Sequence, residues 1–282
     1  MPELPEVEVL VRHLAPLVRN RTVQRAVVRR PRVIAPATTE QFSRKLRGAT
    51  FVELTRRGKY LLFEMRAAKG KDFPLIGHLG MTGKMYLLPE KNPLPKHAAV
   101  VFELGGEKFV FEDTRYFGRM TLDDGAIAEL GPEPLGEAFT AEYFQVALQR
   151  STQPIKVKLL DQQLVAGVGN IYASEALFRA GISPRLAARR LKPLQVARLR
   201  QAIRETLRDA IKRGSTVPLN YSDDGKLDGL FYFGSAVGSP DFYVEHLQVY
   251  DRAGKPCRIC GTPIKRIVQG ARSTFFCPKC QR

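Results

Sequence analysis

Apolar residues near the start of the chain fall three and four positions apart, at Leu4, Val7, Val11, Leu14 and Val18. That spacing predicts an amphipathic helix. Glu3 and Glu6 lie at its positively polarised end, and Pro5 is tolerated in a first turn. Between about residues 22 and 122 the period shortens to runs rich in β-branched and aromatic residues: 50–55, 60–65, 99–104 and 108–112. The last two are joined through Gly105-Gly106, a hairpin signal. These runs predict a β-rich N-terminal domain built as a sandwich. Gly131-Pro-Glu-Pro-Leu-Gly136 has no period and reads as a linker. Beyond it, Val196, Leu199, Ile203, Leu207 and Ile211 draw a helical stripe that predicts a core-facing helix. Residues 214–246 mix Gly, Ser, Asp and aromatics without period and read as a long loop.

Charge narrows the function. The chain of 282 residues carries a formal net charge of +17, an excess that repels itself in a compact state unless a polyanion compensates it. Nucleic acid is the leading partner. No apolar run approaches the about 20 residues needed to span a bilayer, and the acidic start Met1-Pro-Glu-Leu-Pro-Glu6 is unlike a secretory signal. The expectation is a soluble cytoplasmic protein, without a membrane partner and with no sign of an oligomer.

All four cysteines lie near the C-terminus, as Cys257, Cys260, Cys277 and Cys280. Paired Cys-x-x-Cys knuckles at this separation match a tetrahedral four-thiolate zinc site, and a redox dithiol would need only one such pair. Residues 247–282 also hold eight Lys or Arg against one acid, Asp251. With zinc bound, the module would remain near +5, a compact positive body suited to phosphates. Leu164-Val-Ala-Gly-Val-Gly-Asn170 is a small-residue turn ahead of the helical-looking run 171–178. Such a turn fits either a phosphate on the helix amides or tight helix packing.

Five motifs in order then resemble one family. Pro2-Glu-Leu-Pro-Glu-Val-Glu8, His78-Leu-Gly-Met-Thr-Gly83, Asp113-Thr-Arg-Tyr-Phe-Gly118, the run from Leu159 to Tyr172, and Arg272-Ser-Thr-Phe-Phe-Cys-Pro-Lys-Cys-Gln281 are similar to those of formamidopyrimidine-DNA glycosylases. The resemblance implies an α+β multidomain fold: an N-terminal β-sandwich flanked by helices, a helix-two-turn-helix domain, and a C-terminal four-cysteine zinc finger, with DNA in the cleft between them. The expected bounds are 1–132, a linker 133–138, 139–246 with a lesion loop at about 217–243, and 247–282.

By the same resemblance the chain is a bifunctional glycosylase and abasic-site lyase of base excision repair, acting on duplex DNA with oxidised purines or abasic sites. It implies Pro2 as nucleophile, Glu3 as general acid/base, Glu6 as a supporting carboxylate and Lys59 near the lesion phosphate. Met81, Arg115 and Phe117 would fill the stack vacated by an extruded base. Lys156, Asn170 and Arg272 would clamp phosphates, and one structural zinc ion would be the only cofactor. A sister enzyme, endonuclease VIII, shares the architecture and favours oxidised pyrimidines; Leu4 and the Asp-x-Arg-x-Phe motif favour the purine enzyme. A non-catalytic DNA-binding module is the rival from another class, opposed by the presence of Pro2, Glu3 and Lys59. The stretch 221–239 looks longer and more aromatic than the family's lesion-capping loop, and Asp251 stands where the family commonly has glycine.

Overall fold

A computed structural model describes residues 2–213 and 246–282. The loop expected at 217–243 lies outside the described residues. The chain divides into two compact units, with a boundary between Ala128 and Glu129 and with Glu3–Pro5 belonging to the second.

Helix α1 spans Leu4–Val18, and the first unit takes it from Glu6 onward. Its apolar stripe is buried as the spacing required, and Leu10 joins it. The strands are β1 Arg25–Val28, β2 Thr50–Arg57, β3 Tyr60–Arg66, β4 Phe73–His78, β5 Gly83–Pro89, β6 Ala98–Glu103, β7 Glu107–Asp113 and β8 Arg119–Thr121. Between β1 and β2 lies helix α2, Thr39–Leu46, opened by a reciprocal cap between Thr38 and Gln41. Two antiparallel sheets result, in the orders β1-β6-β7-β5 and β2-β3-β4-β8. Phe51 and Phe63 of one sheet meet Phe102 and Phe109 of the other, with ring centroids 5.4–6.0 Å apart among neighbours. That aromatic quartet is the centre of the sandwich core.

Four strands, β1, β4, β5 and β8, are absent from the runs read in the sequence. β4 is interrupted by Pro74 and Gly77, and β5 is buried along most of its length rather than alternating. A Cβ at Gly77 would lie 2.9 Å from Met85 Cε, so a larger residue there would make the methionine side chain shift.

The second unit is helical: α4 Ala141–Gln149, α5 Ile155–Lys158, α6 Asn170–Arg179 and α7 Pro193–Lys212, following the short α3 Gly125–Ala128 that closes the first unit. Val196, Leu199, Ile203 and Leu207 of α7 are buried against α6 and α4, with Ile211 at the edge. The cysteine module carries one hairpin, β9 Lys265–Gln269 and β10 Arg272–Phe276. Gly270 and Ala271 form its turn with φ of +54° and +57°. Asp251 also sits in the left-handed region at φ +56°, which is the physical reason glycine suits that position.

Candidate active site and phosphate-binding surface

In the first unit, β2 and β3 are joined by a two-residue turn, Gly58-Lys59, with Gly58 at φ +55°. The turn presents Lys59, which is 8% exposed. It is braced by Arg56, whose Nε donates to Glu8 Oε2 at 2.8 Å and whose guanidinium donates to Gly58 O at 3.1 Å. Burial works to raise the Glu8 carboxyl, but hydrogen bonds and charge from Arg56 and Arg12 outweigh it and hold it below the ordinary range. On the adjacent strand, the His78 ring stacks 4.7 Å from Tyr60. His78 Nδ1 accepts from Gly80 N at 3.1 Å. Burial, then the charges of Lys59 and Arg119, push His78 down to about 4. The imidazole is therefore neutral at physiological pH, with Nδ1 occupied as an acceptor. Pro2 and Glu6 are both buried.

Two loops of this unit bring Met81, Arg115 and Phe117 together. Arg115 Nη1 lies 3.3 Å from Met81 Sδ, and its guanidinium sits 4.9 Å over the Phe117 ring. Met81 and Phe117 are 44% and 47% exposed, an unusual placement for large apolar side chains held in fixed loops. Asp113 fixes both loops: it accepts from Thr82 Oγ1 at 2.5 Å, Arg115 N at 3.1 Å and Gly118 N at 2.8 Å. The loops touch backbone to backbone, since a Cβ on Gly80 would lie 2.6 Å from Gly118 N. Asp113 was visible in its motif, yet its organising role was missed, because the groups it binds are distributed across both loops.

In the second unit, the glycine turn before α6 has its anion supplied by the chain itself. Glu3, 1% exposed, accepts from Ile171 N at 2.9 Å and Tyr172 N at 3.3 Å, the first free amides of α6. The helix N-terminus stabilises that carboxylate. Gly169 is obligatory, since its Cβ would stand 2.3 Å from Glu3 Cδ. Leu4 N donates to Gly167 O at 3.1 Å. Gln162 shapes the turn, accepting from Gly167 N at 2.9 Å and donating to Val168 O at 2.8 Å. The amides of Ile171 and Tyr172 thus hold an anion, as one of the two readings of this turn had it, but that anion is the protein's own carboxylate.

Lys156, Asn170 and Arg272 converge in the same unit. The Lys156 ammonium donates to Asn170 Oδ1, and both side chains donate to Ser273 O, one residue beyond Arg272. Burial, then the charge of Arg272, lower Lys156 to about 8, while Glu3 opposes them. Arg272 itself is exposed at the hairpin turn. Glu175, which sequence reasoning did not single out, accepts from the backbone N–H groups of Gln248, Val249 and Tyr250 at 2.8–2.9 Å. Burial raises its carboxyl despite those three donors. Glu175 thereby anchors to α6 the segment that leads into the cysteine module.

The Sγ atoms of Cys257, Cys260, Cys277 and Cys280 all lie within 4.8 Å of one another, and no disulfide joins them. The Cys257–Cys280 and Cys260–Cys277 sulfurs are 3.9 Å and 3.5 Å apart. A tetrahedron of sulfurs about 2.3 Å from zinc has edges of about 3.8 Å, so the donor set fits that ion. No helix among the described residues is long and apolar enough to cross a membrane.

A basic four-cysteine module, a lysine–asparagine–arginine cluster and exposed Met81 and Phe117 beside Arg115 are features suited to a DNA-binding protein. Comparison with known proteins shows the family. Models of the formamidopyrimidine-DNA glycosylase N-terminal domain, its H2TH domain, and the zinc finger found in FPG and IleRS match residues 1–120, 130–220 and 254–282. The formamidopyrimidine-DNA glycosylase of Bacillus licheniformis is 39% identical, with 100% of both chains covered. That of Moorella thermoacetica is 45% identical over 95% of this chain and 94% of its own.

Among solved structures, wild-type Lactococcus lactis Fpg with DNA containing N7-benzyl-Fapy-dG superposes with a TM-score of 0.85, at 36% identity and full coverage of both chains. The same bacterium's Fpg with abasic-site DNA gives 0.84, at 36% identity and 99% coverage of each. The chain belongs to the formamidopyrimidine-DNA glycosylase family, and is a DNA glycosylase of base excision repair with abasic-site lyase activity.

Proposed function

We propose that the chain excises oxidised purines, 8-oxoguanine and formamidopyrimidines, from duplex DNA through a covalent Pro2 intermediate, then cleaves the strand by β- and δ-elimination. The observation that carries this reading is the Glu3 carboxylate, buried, held by two backbone amides and covalently next to Pro2. Internal proline nitrogen is an amide without basicity; removal of Met1 converts Pro2 to a secondary amine with a pKa of about 8. Its lone pair attacks C1′ of the damaged nucleotide, the bond to the base breaks, and the base departs with that electron pair and a proton. Opening of the C1′–O4′ bond leaves an iminium between Pro2 and C1′, and O4′ takes the proton delivered through Glu3.

The iminium acidifies the neighbouring C–H bonds. Loss of the C2′ proton expels the 3′ phosphate, and loss of the C4′ proton expels the 5′ phosphate. Water hydrolyses the iminium and restores the Pro2 amine.

Lys59 and Glu6 support these transfers. Met81 and Phe117 fill the vacated stack while the Arg115 guanidinium bonds the orphaned cytosine, and Lys156, Asn170 and Arg272 hold the flanking phosphates. One structural zinc ion held by the four thiolates keeps the Arg272 hairpin in place. The working bounds are 1–132, 139–246 and 247–282, and the protein acts as a monomer on bacterial chromosomal DNA in the cytoplasm.

The test is borohydride trapping on a duplex with 8-oxoguanine opposite cytosine, with mass mapping of the cross-linked peptide. A cross-link on Pro2 is expected. Trapping on an abasic duplex but not on 8-oxoguanine would overturn the lesion assignment, and absence of both in protein lacking Met1 would overturn the Pro2 mechanism.

A further inference from the structure

The segment between α6 and α7 is tied back onto the residues that lead into α5. Arg189 N donates to Ser151 O at 3.0 Å, Ala188 N to Gln153 O at 2.9 Å, Ile155 N to Leu186 O at 2.7 Å and Lys156 N to Pro184 O at 3.5 Å. These two runs line an open surface cavity of about 540 Å³ whose polar lining comes from Arg185, Arg189, Arg190, Thr152 and Ser183. Its lining contains no carboxylate.

Several arginines of this unit engage their guanidinium groups within the protein. Arg179 pairs with Asp209, Arg200 donates to Phe139 O, and Arg204 donates to Leu135 O and Gly136 O. Among the described residues, by contrast, no acceptor or carboxylate meets the guanidinium of Arg185, Arg189 or Arg190. Three exposed guanidiniums around one cavity repel each other, and the neighbouring hydroxyls can only add donors or weak acceptors. An anion offsets that repulsion. Planar guanidinium forks match a phosphate in both geometry and charge.

The cavity also adjoins a phosphate-binding group already described. Pro184, whose carbonyl accepts from the Lys156 backbone, immediately precedes Arg185. We propose that Arg185, Arg189 and Arg190, with Thr152 and Ser183, form a second phosphodiester subsite. It grips the DNA backbone beyond the phosphates held by Lys156, Asn170 and Arg272. The inference rests on the DNA-repair reading above and extends it to the length of duplex engaged.

The test uses the full chain carrying R185Q, R189Q and R190Q together, alongside the charge-keeping triple Lys variant. Binding to duplexes of about 12 and about 30 base pairs with a central abasic-site analogue is followed against salt; each phosphate contact contributes about 0.9 to the slope of log K against log salt. On the long duplex the Gln variant is expected to lose about 1 from the slope, the share of one phosphate, and about tenfold in affinity at moderate salt. The Lys variant retains most of the slope, and the short duplex binds all three proteins alike. Unchanged slope on the long duplex overturns the proposal, as does an equal loss on the short one.

Free phosphate shares the chemistry, so calorimetric titration with inorganic phosphate separates the sources. Phosphate binding that vanishes in the Gln variant, with the duplex slope intact, would assign the cavity to a free anion and overturn the DNA subsite. Borohydride trapping on the short duplex tests the parent reading separately, because a protein that traps DNA but keeps its salt slope fails only the subsite.

Discussion

Replacing Gly169 with alanine probes the Glu3 carboxylate, proposed as general acid/base, without altering it. The added Cβ would begin 2.3 Å from Glu3 Cδ, whereas carbon atoms rest at about 3.5–4.0 Å. One of the two must therefore move by at least about 1.2 Å. The Glu3 bonds to Ile171 N and Tyr172 N, now 2.9 Å and 3.3 Å, cannot both survive a displacement of that size. Hydrogen bonds to a charged group contribute about 1.5–3 kcal/mol each, so the side chain has no comparable alternative position. A misplacement of about 1 Å costs on the order of 100-fold in rate, and complete loss of a general acid/base costs about 10²–10⁴.

The assay is single-turnover excision of 8-oxoguanine under saturating enzyme, with the melting temperature and zinc content recorded on the same preparation. A fall of about 100-fold is expected for Gly169→Ala. The double variant with Glu3→Gln should be no worse than Glu3→Gln alone, since both act on one group. Excision within about twofold of the unaltered protein, or full additivity in the double variant, would refute the idea that Gly169 exists to seat Glu3.

Other outcomes follow from the same geometry. Because burial and Arg272 hold Lys156 at about 8 in the free protein, a bound phosphate should raise it again. DNA binding at about pH 8.5 should take up a proton, and affinity should fall as pH rises through 8, a dependence that Lys156→Arg removes; calorimetry in buffers of different ionisation enthalpy measures the uptake. Stripping metal from the four thiolates with a chelator should unfold residues 247–282 and abolish tight DNA binding while the sandwich aromatic core keeps its near-ultraviolet signature; unaltered binding by zinc-free protein would remove the metal from this scheme. Ala271→Gly relieves a left-handed residue at φ +57°, which should stabilise the hairpin by about 1 kcal/mol. Hydrogen exchange of β9 and β10 should slow about fivefold, and equal or faster exchange would show that the turn carries no such strain.

Local patterning accounts for what was legible beforehand. The stripes of α1 and α7, the Gly105-Gly106 hairpin and the paired cysteine knuckles each depend on residues a few positions apart, where helix period, turn chemistry and ligand spacing are written directly. The family motifs extended that reading to Pro2, Lys59 and the wedge residues. Helix α2 was missed although the Thr38 and Gln41 cap was present as a signal.

What the sequence could not give are pairings across distance. Glu3 reaches the start of α6, Asp113 joins two loops, and Glu175 holds a backbone run more than seventy residues away. The glycine turn illustrates why: its residue types fit an anion and close packing equally well, and only the fold decides that the anion is the chain's own Glu3. The three arginines at 185–190 are close in sequence, but only the fold brings Thr152 of the other run against them and leaves their guanidinium groups without an acceptor among the described residues. Sequence by itself determined the strongly periodic elements, the candidate zinc ligands and the family. Tertiary structure decided which charges are neutralised within the protein and which are left for DNA, because neutralisation depends on distances set by packing rather than by order along the chain.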